Sequence, residues 1–78
     1  MPQVTVRYFA GAKAAAGRES EQLTAATLAE LKGILAGRDG FQAVCMASSF
    51  LVNGGQAEPD VALPEGAQVD VLPPFAGG

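Results

Sequence analysis

Only one stretch of this chain carries the pattern of a substantial helix, and alternating segments lie on both sides of it. Thr27 stands three residues before Glu30, the spacing of a capping box. Leu28, Leu31, Ile34 and Leu35 follow at helical spacing and form one apolar stripe. Gly37 supplies a stop. A helix is therefore predicted over residues 27–37. Gly33 inside it costs about 1 kcal/mol relative to alanine, which close approach of a sheet would explain. One amphipathic helix buries one stripe, so the rest of the chain must supply a layer for it to cover.

The flanking segments have strand character. In residues 3–9, Val4, Val6 and Tyr8 share one face, while Thr5 and Arg7 share the other. Residues 11–17 place three alanines between glycines and read as a short helical turn. Residues 19–23 fit the return arm of a hairpin, with Leu23 as its buried anchor. Beyond the helix, Asp39–Ala47 reads as a short second helix carrying Phe41, Val44, Cys45 and Met46 to the core edge. Residues 49–53 read as a strand ended by Asn53-Gly54-Gly55, a strong turn signal. Residues 56–63 read as irregular, with Pro59 limiting pairing, and Leu63–Gly66 as a β-turn with proline second. Residues 67–72 alternate again, with Val69 and Val71 on one face. The first and last strands are the most apolar and belong side by side at the sheet centre. The order predicts an α+β chain, one small mixed sheet crossed by one main helix, in the β-grasp layout. A length of 78 residues allows a single domain, expected over residues 1–72.

Composition removes whole classes of chemistry. The chain has no histidine and one cysteine, so it assembles no His/Cys metal site, catalytic triad or disulfide. No metal or cofactor is expected. Eight acidic against five basic residues give a net charge of −3, which argues against nucleic acid as the main partner. No apolar run is long enough for a membrane span, and the N-terminus shows no signal-peptide core, so the expected location is cytoplasmic. Glu19, Glu21, Glu58, Asp60 and Glu65 read as scattered surface acids, and Lys13 and Arg18 as solvated bases rather than an anion site. Cys45, among Val44, Met46 and Phe41, is read as a buried structural thiol in preference to a persulfide carrier.

The unusual feature is the ending, Leu72-Pro73-Pro74-Phe75-Ala76-Gly77-Gly78. Two prolines stop the strand and hold an extended path. Two glycines then leave the terminal carboxylate on a narrow, flexible tail over residues 73–78, able to thread a channel. A carboxylate is inert until activated, and adenylation by an ATP-using partner would make it an acyl donor.

The chain resembles the MoaD/ThiS family of ubiquitin-like sulfur carriers. The resemblance rests on Val6–Ala12, on Val52-Asn53 before a turn, and on the closing run Gly66–Gly78. The Pro-Pro-x-x-Gly-Gly ending is most like MoaD, the small subunit of molybdopterin synthase. Ala67 stands where the family often carries an acidic residue, at a surface turn position. The resemblance implies that a MoeB-like enzyme adenylates Gly78, that a sulfur donor protein converts the adenylate to a thiocarboxylate, and that a MoaE-like large subunit receives the tail. Gly78 is then the reacting residue and Gly77 gives clearance. Pro73, Pro74, Phe75 and Ala76 guide the tail. Phe75 reads as a partner anchor, and Phe9 either joins Leu72 in a partner surface or fills the core edge. The chain itself would be a non-catalytic subunit. A ThiS-like carrier for thiamine or another sulfur pathway, a ubiquitin-like protein modifier, and a non-covalent module with an incidental tail are the alternatives.

Overall fold

The computed structural model describes residues 2–58 and 60–73. Its elements run β1 (Gln3–Tyr8), α1 (Gly11–Ala16), β2 (Ser20–Thr24), α2 (Leu28–Ala36), α3 (Gln42–Ala47), β3 (Ser49–Val52), β4 (Gly55–Gln56) and β5 (Gln68–Leu72). The strands form one mixed sheet in the order β2-β1-β5-β3-β4. β1 and β5 are parallel neighbours at its centre, and the other pairs are antiparallel. This is the expected β-grasp layout.

The period-2 alternation decides which face is buried. Val4, Val6 and Tyr8 of β1, with Val69 and Val71 of β5, point inward and are buried. Val6 lies opposite Val69 and Tyr8 opposite Val71, so the two most apolar strands build one continuous floor. Leu28, Leu31 and Leu35 of α2 cover it, and Phe41 and Cys45 close one edge. Leu23 of β2 is partly buried against the same core.

The ends of α2 are local chemistry. The Glu30 amide donates to Thr27 Oγ1 at 3.1 Å, and Glu30 Oε1 accepts from the Ala26 amide at 3.1 Å. The reciprocal bond therefore reaches one residue further back than in the standard box. Gly37 caps the other end with φ −78°, an ordinary right-handed conformation, and its amide donates to the Gly33 carbonyl at 3.2 Å.

Several expectations need correction. Ile34 is 39% exposed, because it lies on the flank of the narrower arc that Leu28, Leu31 and Leu35 bury. A Cβ at Gly33 would meet nothing within 4 Å, so no close approach of the sheet explains this glycine. Met46 is 77% exposed and does not join Phe41 and Cys45 in the core. Residues 56–63 are not wholly irregular. Gln56 pairs with Leu51 in a β3–β4 hairpin, whose Asn53 (φ 50°) and Gly54 (φ 84°) take the left-handed conformations a tight two-residue turn requires. The Leu28 amide donates to the Val61 carbonyl and the Leu63 amide to the Ala26 carbonyl, strapping the start of α2. The turn near Pro64 lies one residue later than predicted. Its closing bond runs from the Ala67 amide to the Pro64 carbonyl at 3.0 Å, placing Gly66 (φ 81°) at the position that demands positive φ. Ala67 itself is buried in the core and is not the surface turn position expected of it.

Candidate functional site

The central strand β5 ends at one rim of the sheet, and the chain leaves it through Leu72 and Pro73. The Phe9 amide donates to the Val71 carbonyl at 3.2 Å, which carries the β1–β5 pairing to this rim. Phe9, Ala10, Leu72 and Pro73 line an open hollow of about 440 Å³ with almost wholly apolar walls. Ala10 has φ 51° and ψ −125°, a conformation that alanine rarely adopts. A turn holds it there, closed by the Ala12 amide on the Phe9 carbonyl at 3.0 Å. Phe9 is thus kept at the mouth of the chain's exit, 36% exposed.

The outward face of the central strands carries one charged pair. Arg7 and Asp70 are opposite each other in the parallel register. Arg7 Nε and Nη2 donate to Asp70 Oδ1 and Oδ2 at 2.9 and 3.2 Å, a two-pronged contact. The same guanidinium lies 5.3 Å from the centre of the Phe9 ring. On the inward face, Glu21 accepts from the Tyr8 hydroxyl and from both terminal nitrogens of Arg38. The Arg38 hydrogen bonds hold the Glu21 carboxyl below the usual carboxylate range against the opposing effect of burial. Burial, and then Glu21, push the Tyr8 phenol up. Glu21 is therefore not a scattered surface acid, as its sequence context implied. Lys13 and Arg18 face Glu19 and Glu21 at 3.6 and 3.8 Å, consistent with exposed bases neutralised locally.

Cys45 is buried, as expected. Its thiol donates to the Lys32 carbonyl at 3.6 Å, and burial pushes its pKa up, opposed only by the Lys32 charge. A protonated, enclosed thiol is a poor sulfur nucleophile. Cys45→Ser is expected to lose about 1–2 kcal/mol of stability by placing a hydroxyl in that site, read as a lower denaturation midpoint. The folded variant is expected to acquire sulfur as the native chain does. A folded variant that can be activated but never takes sulfur would return Cys45 to the mechanism.

The structure brings together Phe9, Leu72 and Pro73 of the residues expected to serve a partner. Pro74, Phe75, Ala76, Gly77 and Gly78 lie outside the described residues. The Arg7–Asp70 pair went unread in the sequence, although a charge in the middle of each of the two most apolar strands is a signal for it. Among the described residues no group of three or more His, Cys, Asp or Glu side chains is placed to hold a metal ion, and no helix is long and apolar enough to cross a membrane.

Residues 6–78 match the ThiS family. The chain belongs to the ThiS family. Its fold recurs in solved structures. One chain of the complex of subunits 1 and 2 of molybdopterin-converting factor from Helicobacter pylori is 27% identical, with a TM-score of 0.78, over 97% of this chain and 99% of that one. A candidate molybdopterin-converting factor subunit 1 from Pyrococcus furiosus is 22% identical, with a TM-score of 0.82, over 96% and 100% of the two chains. Small archaeal modifier protein 1 from Haloferax volcanii is 21% identical, with a TM-score of 0.79, over 97% and 99%. No curated protein gives a significant match. This ThiS-family member thus shares one β-grasp frame with both kinds of protein.

Proposed function

We propose that the chain is a cytoplasmic sulfur carrier, a β-grasp domain over residues 1–72 followed by a working tail over residues 73–78 that ends in the Gly78 carboxylate. The observation that carries this reading is the exit geometry. The central strand runs directly into Pro73 beside the Phe9–Leu72 hollow, and the Pro-Pro-Phe-Ala-Gly-Gly sequence follows.

A MoeB-like partner supplies ATP, and a Gly78 carboxylate oxygen attacks its α-phosphorus as pyrophosphate leaves. A sulfur nucleophile from the donor protein then attacks the acyl carbon. The C–S bond forms as the C–O bond to AMP breaks, leaving sulfur on Gly78. When the donor is a persulfide, a thiol must afterwards cleave the S–S bond to free the thiocarboxylate. A MoaE-like large subunit receives the loaded tail and passes the sulfur to a pterin precursor of the molybdenum cofactor. The Pro-Pro-x-x-Gly-Gly ending and the Helicobacter pylori complex support that branch over a thiamine-type carrier. The likeness to a small archaeal modifier keeps a second outcome in play, in which the same adenylate is passed to a lysine amine.

The test is intact-mass spectrometry after incubation with the adenylating enzyme, ATP and a sulfur donor. The native chain is expected to exchange one terminal oxygen for sulfur, and a chain lacking Gly78 or carrying a C-terminal tag is expected to stay unchanged. Equal sulfur gain by the shortened chain would end the proposal. Lysine-linked adducts in place of thiocarboxylate would move the chain to the modifier class.

A further inference from the structure

We propose that the Arg7–Asp70 pair is a positioning device. It fixes the Phe9 ring at the mouth of the tail exit and thereby sets how tightly the adenylating partner docks. The inference rests on the reading of Gly78 as that partner's substrate.

Asp70 lies on the outward face of β5, yet its side chain is only 10% exposed. A carboxylate so enclosed is costly unless its oxygens are satisfied, and the Arg7 fork satisfies both. Arg7 itself is 44% exposed on the same face, where an ion pair stabilises the fold little. Its effect is therefore on geometry. A guanidinium held at two points has a defined place, and its central carbon lies over the Phe9 ring, 5.3 Å from the ring centre. The backbone around Phe9 is fixed as well. Its amide is held by Val71, its carbonyl by Ala12, and the next residue is in the constrained Ala10 conformation. Phe9 is thus an aromatic side chain set in place before any partner arrives, which lowers the ordering cost of binding.

The short tail makes this face unavoidable. Five residues follow Pro73, and a fully extended chain spans at most about 3.6 Å per residue, or roughly 18 Å. An enzyme that holds the Gly78 carboxylate in its active site must therefore lie against the rim where Phe9, Leu72 and Pro73 meet. We assign the hollow there to an apolar side chain of the adenylating enzyme, with Phe9 as the wall it packs on.

The test uses the full chain, ATP and the organism's own carboxylate-adenylating enzyme, with pyrophosphate exchange as the readout. The double variant Arg7→Met/Asp70→Val removes the pair without leaving a lone enclosed charge. It is expected to raise the KM for the carrier about five- to tenfold, the scale of ordering one side chain on binding, with kcat unchanged. Arg7→Lys keeps the charge but not the fork and is expected to raise KM as well. In NMR spectra of the free chain, the Phe9 ring signals are expected to shift, while the Val6 and Val69 methyl signals stay in place. An unchanged KM, an unmoved Phe9 ring, or a fall in kcat alone would overturn the proposal while leaving the carrier reading intact. Failure of the native chain to support exchange would remove both.

Discussion

A chain in which Gly77 is replaced by valine is expected to fold as the native chain does and to acquire sulfur at least about 100-fold more slowly, the scale of losing a productive reaction geometry. The core residues run from Val4 to Val71, and the pairing of β5 ends at Leu72, opposite Ser49, so a change at position 77 removes no described contact of the fold. Its effect on stability is expected to stay within about 0.5 kcal/mol. On the proposed mechanism the effect on chemistry is large for two reasons. A β-branched side chain restricts the backbone beside the reacting carbonyl, and its bulk occupies the clearance through which ATP and then sulfur must approach. Thermal unfolding and intact-mass spectrometry on one preparation separate the two effects. Native-rate sulfur gain by the folded variant would show that the penultimate residue needs no small side chain and would remove the narrow-channel argument.

The parts of the fold that were legible in the sequence depend on near neighbours. Alternation at Val4, Val6 and Tyr8, and again at Val69 and Val71, identified both central strands and their buried face, because strand geometry repeats every two residues. Thr27 and Glu30 marked the start of the helix, because capping bonds span only three or four residues. The parts that were not legible depend on pairing across the chain. Glu21 sits among polar neighbours and read as a surface acid, yet its partners Tyr8 and Arg38 arrive from 13 and 17 residues away. Arg7 and Asp70 meet across 63 residues and only through the parallel register. β4 is two residues long and carries no period of its own. Ile34 belongs to the helical stripe by spacing, but it lies on the flank of the arc that Leu28, Leu31 and Leu35 bury.

The candidate site divides in the same way. The C-terminal motif is linear and so is legible in the sequence, and Phe9 and Leu72 are apolar residues just past β1 and at the end of β5. The strained turn at Ala10 had no local sign, since alanine follows Phe9 where a glycine would have announced positive φ. Phe9 and Ala10 of that turn line the hollow together with Leu72 and Pro73.

Glu21→Ala is expected to be the most destabilising single change among the charged residues, at about 2–3 kcal/mol, because it strands two partners at once. The Tyr8 hydroxyl and the Arg38 guanidinium both depend on this carboxylate, and the three groups tie β1, β2 and the α2–α3 connection together. The Tyr8 ring also meets Phe41 edge-on at 5.7 Å, so loosening Tyr8 reaches the core beneath α3. For a domain of this size the loss corresponds to a fall in Tm of roughly 10–20 °C. The pH dependence has a definite sign. Arg38 lowers the folded-state pKa of Glu21, so as the pH drops through the ordinary glutamate range the unfolded chain takes up a proton that the folded chain still refuses. The stability from Glu21 is fully present above that range and is lost as the pH falls toward the depressed folded value. Glu21→Gln keeps the shape but removes the charge. The stability gap between native chain and Glu21→Gln is therefore expected to be widest near neutral pH and to close in acid. Urea denaturation of both chains across that pH range measures it. A gap that stays constant with pH would mean that the carboxylate charge contributes nothing, and that Tyr8 and Arg38 need only a hydrogen-bond acceptor at position 21.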